Sequence, residues 1–329
     1  MAEEERHPAE DALLGVVDAA VPSIRARQRG RLPATLYRYV WRVSGRQQVT
    51  LILLTLLILP LSLAPLELQR RIVDDAIVRG DVRLLLYLSG IYLAVVLLHG
   101  VFKFVRSVYE GRIGEGAIRT LRLRLARHRA GAGEADRGGR AVSMIAAEAE
   151  ELGSFIGESI SFPLLQAGTL LSAAVYMLVV EPQVALVAFA LFLPSILMAP
   201  WIQGRINQLV ERRTLLLREL GAEIAERGAS DGGSLIDRIY GARMRIQVLK
   251  YVFKFVHNLV GSLGPVGVLL FGGWMVIRGQ TEIGVVVAFI SGYEKIVDPA
   301  RELLNFYRRM AQTRVQYRMI AEAVRREQG

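Results

Sequence analysis

The stretch Gly272–Arg326 reads GGWMVIRGQTEIGVVVAFISGYEKIVDPARELLNFYRRMAQTRVQYRMIAEAVRR. It opens on the end of one apolar segment, turns through Arg278–Glu282, and runs back through the apolar residues Ile283–Ile296. No convincing helix stop follows, although Pro299 is a place for a kink. A helix from Ile283 to Arg326 would be ~65 Å long at 1.5 Å per residue, against ~30 Å of hydrocarbon in a bilayer. Roughly half of it must therefore stand outside the membrane. That outer half is patterned: Leu303, Phe306, Met310, Thr313, Tyr317, Ile320 and Val324 recur at alternating steps of three and four. The spacing predicts a coiled-coil-like seam, with Thr313 its one polar member, docked against the chain's own helices.

The composition agrees with a membrane helix prolonged into water. Of 329 residues, 52% are hydrophobic, yet 22% are charged, and the mean hydropathy is +0.33. The two coexist because the charges are segregated from the apolar runs. A net charge of +10 carried by arginines that flank apolar segments points to a membrane surface rather than to nucleic acid. The chain has no cysteine, which excludes disulfides, thiol catalysis and thiolate metal sites. The histidines His7, His99, His128 and His257 are scattered, so no metal cluster is expected.

Working outward, residues 1–33 read as a mobile polar tail and 34–329 as one membrane domain. Leu36–Arg46 mixes Tyr37, Tyr39 and Trp41 with Arg38, Arg42 and Arg46, the composition of an amphipathic interfacial helix. Apolar segments follow at Val49–Leu68, Leu84–Val105, Ile156–Val180, Ala185–Ile202, Leu259–Ile277 and from Ile283, predicting six crossings. Pro60 and Pro65 are expected to kink the first or mark its outer end. Long polar helical hairpins at about 106–155 and 203–258, and a stalk at about 299–326, stand outside the membrane. These segments and the N-terminus hold nearly all the Lys and Arg, whereas the three remaining loops hold only Arg70, Arg71, Arg79, Arg83 and Arg278. The positive-inside rule then places both termini in the cytoplasm.

Particular residues carry a resemblance as well. Pro65 through Ile77 with Gly80-Asp81, then Gly114-Glu115-Gly116-Ala117-Ile118-Arg119, and above all Gly272-Gly273, Val276–Gly279, Ile283-Gly284, Val287–Phe289, Pro299 and Leu303 occur in order. Together they resemble the membrane domain of exporter-type ABC transporters over roughly Leu36–Arg326. The resemblance implies an all-α polytopic fold, the type 1 exporter fold, working as a dimer of homologous membrane domains around a shared cavity. It implies ATP and Mg²⁺ on a nucleotide-binding ATPase partner, and a bacterial plasma membrane location. No G-x-x-x-x-G-K-[ST] occurs, and Gly111–Gly116 lacks the Lys and Ser/Thr that hold phosphate and Mg²⁺. ATP hydrolysis is therefore expected from a separate chain. The alternatives are a non-transporting scaffold with the same fold, or a piece of a fused exporter. Gly228–Lys250 departs from the family's pattern, which leaves open whether the fourth and fifth helices are exchanged between subunits.

Two groups of residues are candidates for function. Ionisable side chains inside a span are costly and point to a pathway, which selects Glu294, Lys295 and Asp298, with Tyr293 and Trp274 as possible cavity walls. Lys295 partly neutralises the two carboxylates from its place between them; a structural ion pair is the competing reading. The turns that hold Ala135, Asp136, Arg137, Gly138 and Gly139, and Ser230, Asp231, Gly232 and Gly233, are the contact points for an ATPase, since in the family such tips fit grooves on the nucleotide-binding domains.

Overall fold

Hydrocarbon offers no partner to a backbone amide, so apolar segments of this length must satisfy their hydrogen bonds internally, as helices. In the computed structural model, which describes residue 33 and residues 35–130, 150–227 and 233–326, no strand occurs among the described residues. The long helices are α1 (Leu36–Arg71), α2 (Val82–Ala130), α3 (Ser161–Val180), α4 (Pro182–Arg227), α5 (Gly233–Ile277) and α6 (Ile283–Arg326). A π-helix, Ile72–Ile77, continues α1, and residues 150–158 form a further helical stretch before α3.

Five of these helices, α1 to α5, are long and apolar enough to cross a membrane, by length and composition. The sixth expected crossing does not meet that standard. Its apolar run in α6 is interrupted by Glu294, Lys295 and Asp298, the residues singled out above. The prolines also behave differently from expectation at one point. Pro60 and Pro65 do not end α1, and its non-helical break lies instead at Ser44 (φ −133°, ψ 19°). That break divides a short N-terminal segment from the apolar run of the helix. Pro299 does not end α6 either.

The turns are where glycine is needed. Gly80 (φ 71°) and Gly279 (φ 68°) are left-handed. Each closes a Schellman motif: Gly80 donates to the Ile77 carbonyl and Asp81 to that of Ala76, while Gly279 donates to Val276 and Gln280 to Met275. Between α3 and α4 only Glu181 intervenes.

The chain divides into two compact units. The first comprises the chain up to Leu68, Val82–Ser172 and the segment from Asp298. Its core joins Leu36, Tyr39 and Val40 of α1, Tyr109, Ile113 and Ala117 of α2, Leu152, Phe155 and Ile156, and Phe306 and Tyr317 of α6. The aromatic rings form a layer: Tyr39 lies 5.3 Å from Tyr317, and Phe155 and Phe162 lie 5.6 and 5.7 Å from Phe306. This is the predicted seam, with Phe306, Thr313 and Tyr317 buried and Met310 packed against the core. The side chains of Ile320 and Val324 lie outside those described. Hydrogen bonds fix the seam's register. Tyr317 donates to the Pro33 carbonyl (2.7 Å), and Gln312 and Gln316 donate to Glu151.

Along α1 the buried row continues as Ser44, Gln48, Leu51, Thr55, Ile58, Ser62 and Leu66. Its hydroxyls are satisfied within the helix, Thr55 donating to the Leu51 carbonyl at 2.7 Å. Gln48 reaches further, its amide donating to the Ile156 carbonyl at 2.9 Å. That carbonyl stands near the end of the 150–158 helix and takes its bonds from side chains, the Gln48 amide of α1 and the nearby Ser159 hydroxyl at 3.1 Å.

The second unit comprises Gln69–Asp81 and Ala173–Val297. Outside the apolar region, α4 and α5 pack through Ile202, Ile206 and Ile246, flanked by Met198, Leu209, Leu249 and Phe253. Nearer the turn, small residues let helices approach, and Leu191 lies against Gly267 and Val286 against Gly272.

Candidate functional site

The apolar half of α6 has two opposite sides. Val285, Val286, Phe289, Tyr293, Ile296 and Val297 are buried. Val287, Glu294 and Asp298 are exposed, and at 100° per residue they fall on the other side of the helix. Asp298 pairs with Arg301, one turn on, at 3.0 Å, and both remain about half exposed. Lys295 is half-buried. The helix thus presents a carboxylate-bearing side that this chain leaves open.

The two aromatic candidates stand elsewhere. Tyr293 is 1% exposed. Its ring rests on Gly264, where a Cβ would collide with it. Its edge meets Phe192 at 6.3 Å, and its hydroxyl donates to the Val260 carbonyl at 3.0 Å. The residue packs α4, α5 and α6 together from behind the open side. Trp274 lies about one turn from the end of α5, whereas Glu294 lies about three turns into α6. It stacks on Phe271 and carries the Arg278 guanidinium 4.0 Å above its ring. An indole capped by a cation at a helix end fits an interfacial anchor. Of the second group, Ala135, Asp136, Arg137, Gly138 and Gly139 and Ser230, Asp231 and Gly232 lie outside the described residues, and Gly233 begins α5.

At the α5–α6 turn the second unit holds a latch that sequence reading had seen only as an outer loop. The Asp74 carboxylate, in the π-helix, accepts a hydrogen bond from the Gly284 amide at 2.6 Å. Arg70 lies 3.9 Å from Asp74 and 3.6 Å from Glu282. Gly284 must lack a Cβ here, because one would meet the Arg70 carbonyl and the Asp74 carboxylate. A carboxylate at the first turn of a helix also meets its positive end. Asp74→Ala, which removes the acceptor, should therefore lower stability by about 1.5–3 kcal/mol, the worth of a hydrogen bond to a charged group. Thermal unfolding in detergent micelles measures the loss.

The first unit contains a buried charge pair that sequence reasoning missed. Arg106 and Glu110, one turn apart on α2, lie 3.2 Å apart with side chains 6% and 8% exposed. Ser161, at the start of α3, donates to the same Glu110 oxygen at 2.5 Å. Gly157 packs directly on the Glu110 backbone carbonyl. Close by, Glu158 accepts from Arg309 of α6 at 3.0 Å, and that guanidinium lies over the Phe162 ring. A pocket of about 410 Å³ opens beside this pair, lined by Glu150, Glu151, Ser154, Phe155, Arg309 and Thr313. Among the described residues no group of three acidic or histidine side chains could hold a metal.

A family profile, ABC transporter transmembrane region, matches residues 49–226, more than half of the chain. The chain belongs to the ABC transporter transmembrane family. No curated protein matches it.

As an ABC membrane region, the chain is an integral membrane protein and the transmembrane part of an ABC transporter. The matched residues run from within α1 to near the end of α4, include the Arg106–Glu110 pair, and end before Gly272–Leu303. The open carboxylates of α6 therefore lie outside the matched residues.

Proposed function

We propose that this chain is the membrane subunit of an ATP-driven transporter. In this reading it pairs with a second copy or a homologue and lines the substrate pathway with the open side of α6. The observation that carries the reading is the placement of Glu294 and Asp298 on the exposed side of α6, opposite its buried side, in a chain of the ABC membrane family. A charged side that the lone chain does not cover suits a water-filled cavity between two membrane domains far better than lipid. α6 then makes the sixth crossing, its charges facing the cavity with Lys295 between the two carboxylates. Tyr293 and Trp274 act from outside it, as packing and anchor.

In this reading ATP and Mg²⁺ are held by a separate ATPase chain; the 329 residues themselves contain no phosphate-binding loop. That ATPase would meet the turns at 135–139 and 230–233 on the cytoplasmic side of a bacterial plasma membrane, and its closure would rock the helix pairs between two access states. Both termini then lie in the cytoplasm.

Replacing Glu294 and Lys295 together by Gln tests the pathway. Coupled ATP hydrolysis by the reconstituted complex should fall about tenfold, equivalent to about 1.4 kcal/mol, while size-exclusion chromatography shows the assembly intact. Loss of assembly along with activity would make these residues a structural ion pair instead. The absence of native cysteine allows a second check. Single cysteines at Asp136 and Asp231 should cross-link to the ATPase chain.

A further inference from the structure

The pocket beside the Glu158–Arg309 pair lies wholly in the first unit, between the 150–158 helix and α6. Its volume of about 410 Å³ falls in the range of small-molecule sites. The charges on its walls are unevenly compensated. Glu150 pairs with Arg122 at 3.3 Å, and Arg309 with Glu158 at 3.0 Å. Glu151 has no cationic partner among the described residues and accepts only from the neutral amides of Gln312 and Gln316. A second observation points the same way. Thr313, on the pocket wall, is 1% exposed. The buried Thr55 and Thr120 hydroxyls each donate to the carbonyl four residues back, whereas that of Thr313 makes no hydrogen bond among the described residues. Close by, the Gln316 amide oxygen is buried without a donor. The site therefore holds acceptors in excess, beside the apolar ring of Phe155.

From these observations we infer that the pocket binds an organic ammonium ion, with Glu151 as its counter-charge, the Thr313 and Ser154 hydroxyls as further acceptors, and Phe155 as the wall for its apolar body. An ammonium group brings three donors and one positive charge, which is what the walls lack. An anion would face the Glu150 and Glu151 carboxylates. A metal ion would need further ligands, and no third acidic or histidine side chain joins these two among the described residues. A lysine reaching in from another protein would leave most of the volume and the Phe155 wall uncovered. The inference depends neither on the α6 pathway nor on an ATPase partner.

The test uses the full chain in nanodiscs and isothermal titration calorimetry with phenethylammonium chloride, with 2-phenylethanol as the neutral analogue of the same shape. Titration into empty nanodiscs subtracts partitioning into lipid. The amine should bind saturably, one per chain, and the alcohol at least tenfold more weakly. Glu151→Gln should lower the affinity for the amine about tenfold or more, and Thr313→Val about fivefold. Because Glu151 also holds Gln312 and Gln316, a second variant keeps the test independent of the seam. Ser154 is exposed at the pocket's edge, so Ser154→Leu should abolish binding and leave the unfolding midpoint unchanged. Equal binding of amine and alcohol, no saturable binding of the amine, or binding that survives Ser154→Leu overturns the site.

Discussion

Glu110→Ala should lower the stability of the protein by about 3–5 kcal/mol, the usual cost of leaving one member of a buried ion pair unpartnered. Arg106 and Glu110 are both buried, and Glu110 gathers the Arg106 guanidinium and the Ser161 hydroxyl on one oxygen. Removing the carboxylate strands a cation among helices that exclude water, and leaves Ser161 without its acceptor. The pair's own attraction is not the source of this large effect. Its order along the helix, cation before anion, is the less favourable one for an exposed pair. Replacing Arg106 and Glu110 together by Met and Leu should accordingly cost much less than Glu110→Ala alone. Thermal unfolding of Glu110→Ala, of the single variants Arg106→Met and Glu110→Leu, and of the double variant in the same detergent checks this. A double variant as unstable as the sum of the singles would show that the two residues do not act as a pair.

The second large effect is steric, and it should change sign within the same region. A Cβ at Gly157 would collide with the Glu110 carbonyl oxygen and come within 3.1 Å of its carbon and 3.3 Å of the Gly114 nitrogen. All three are backbone atoms, which cannot swing aside, so the helices themselves must part. Gly157→Ala should destabilise by about 1–3 kcal/mol as overpacking, and more where the displaced helix also disturbs Glu110. Gly111, one residue beyond Glu110 on α2, has nothing within 4 Å of its would-be Cβ. Gly111→Ala should therefore stabilise by about 0.5–1 kcal/mol, because alanine is the better helix former. Unfolding midpoints that move in opposite directions for the two alanine variants would bear out the close approach.

What could be read in the sequence was periodicity. The seam through Phe306, Thr313 and Tyr317 was legible because packing at one interface imposes one repeat on the residues that touch. The turns at Gly80 and Gly279 were equally open, since each needs a residue that tolerates positive φ. Pairings set by a distant helix were not legible. Arg106 and Glu110 look like part of a basic membrane flank until Gly157 and Ser161, about fifty residues later, close over them. Asp74 similarly appeared as one acid in a charged loop, because nothing local marks Gly284 as its donor. Tyr293 was placed at a cavity on the strength of its neighbours in sequence. A helix sends residues 293 and 294 about 100° apart, and only Glu294 emerges on the open side.

The central claim is that this chain supplies the membrane pathway while another chain supplies the ATPase. It is tested most directly by measuring ATP hydrolysis by the complex isolated from its native membrane, and by the same chain stripped of its partners and returned to nanodiscs. The account predicts hydrolysis by the complex, carried by a partner with a phosphate-binding loop, and none by the stripped chain. Hydrolysis by the chain alone would contradict it.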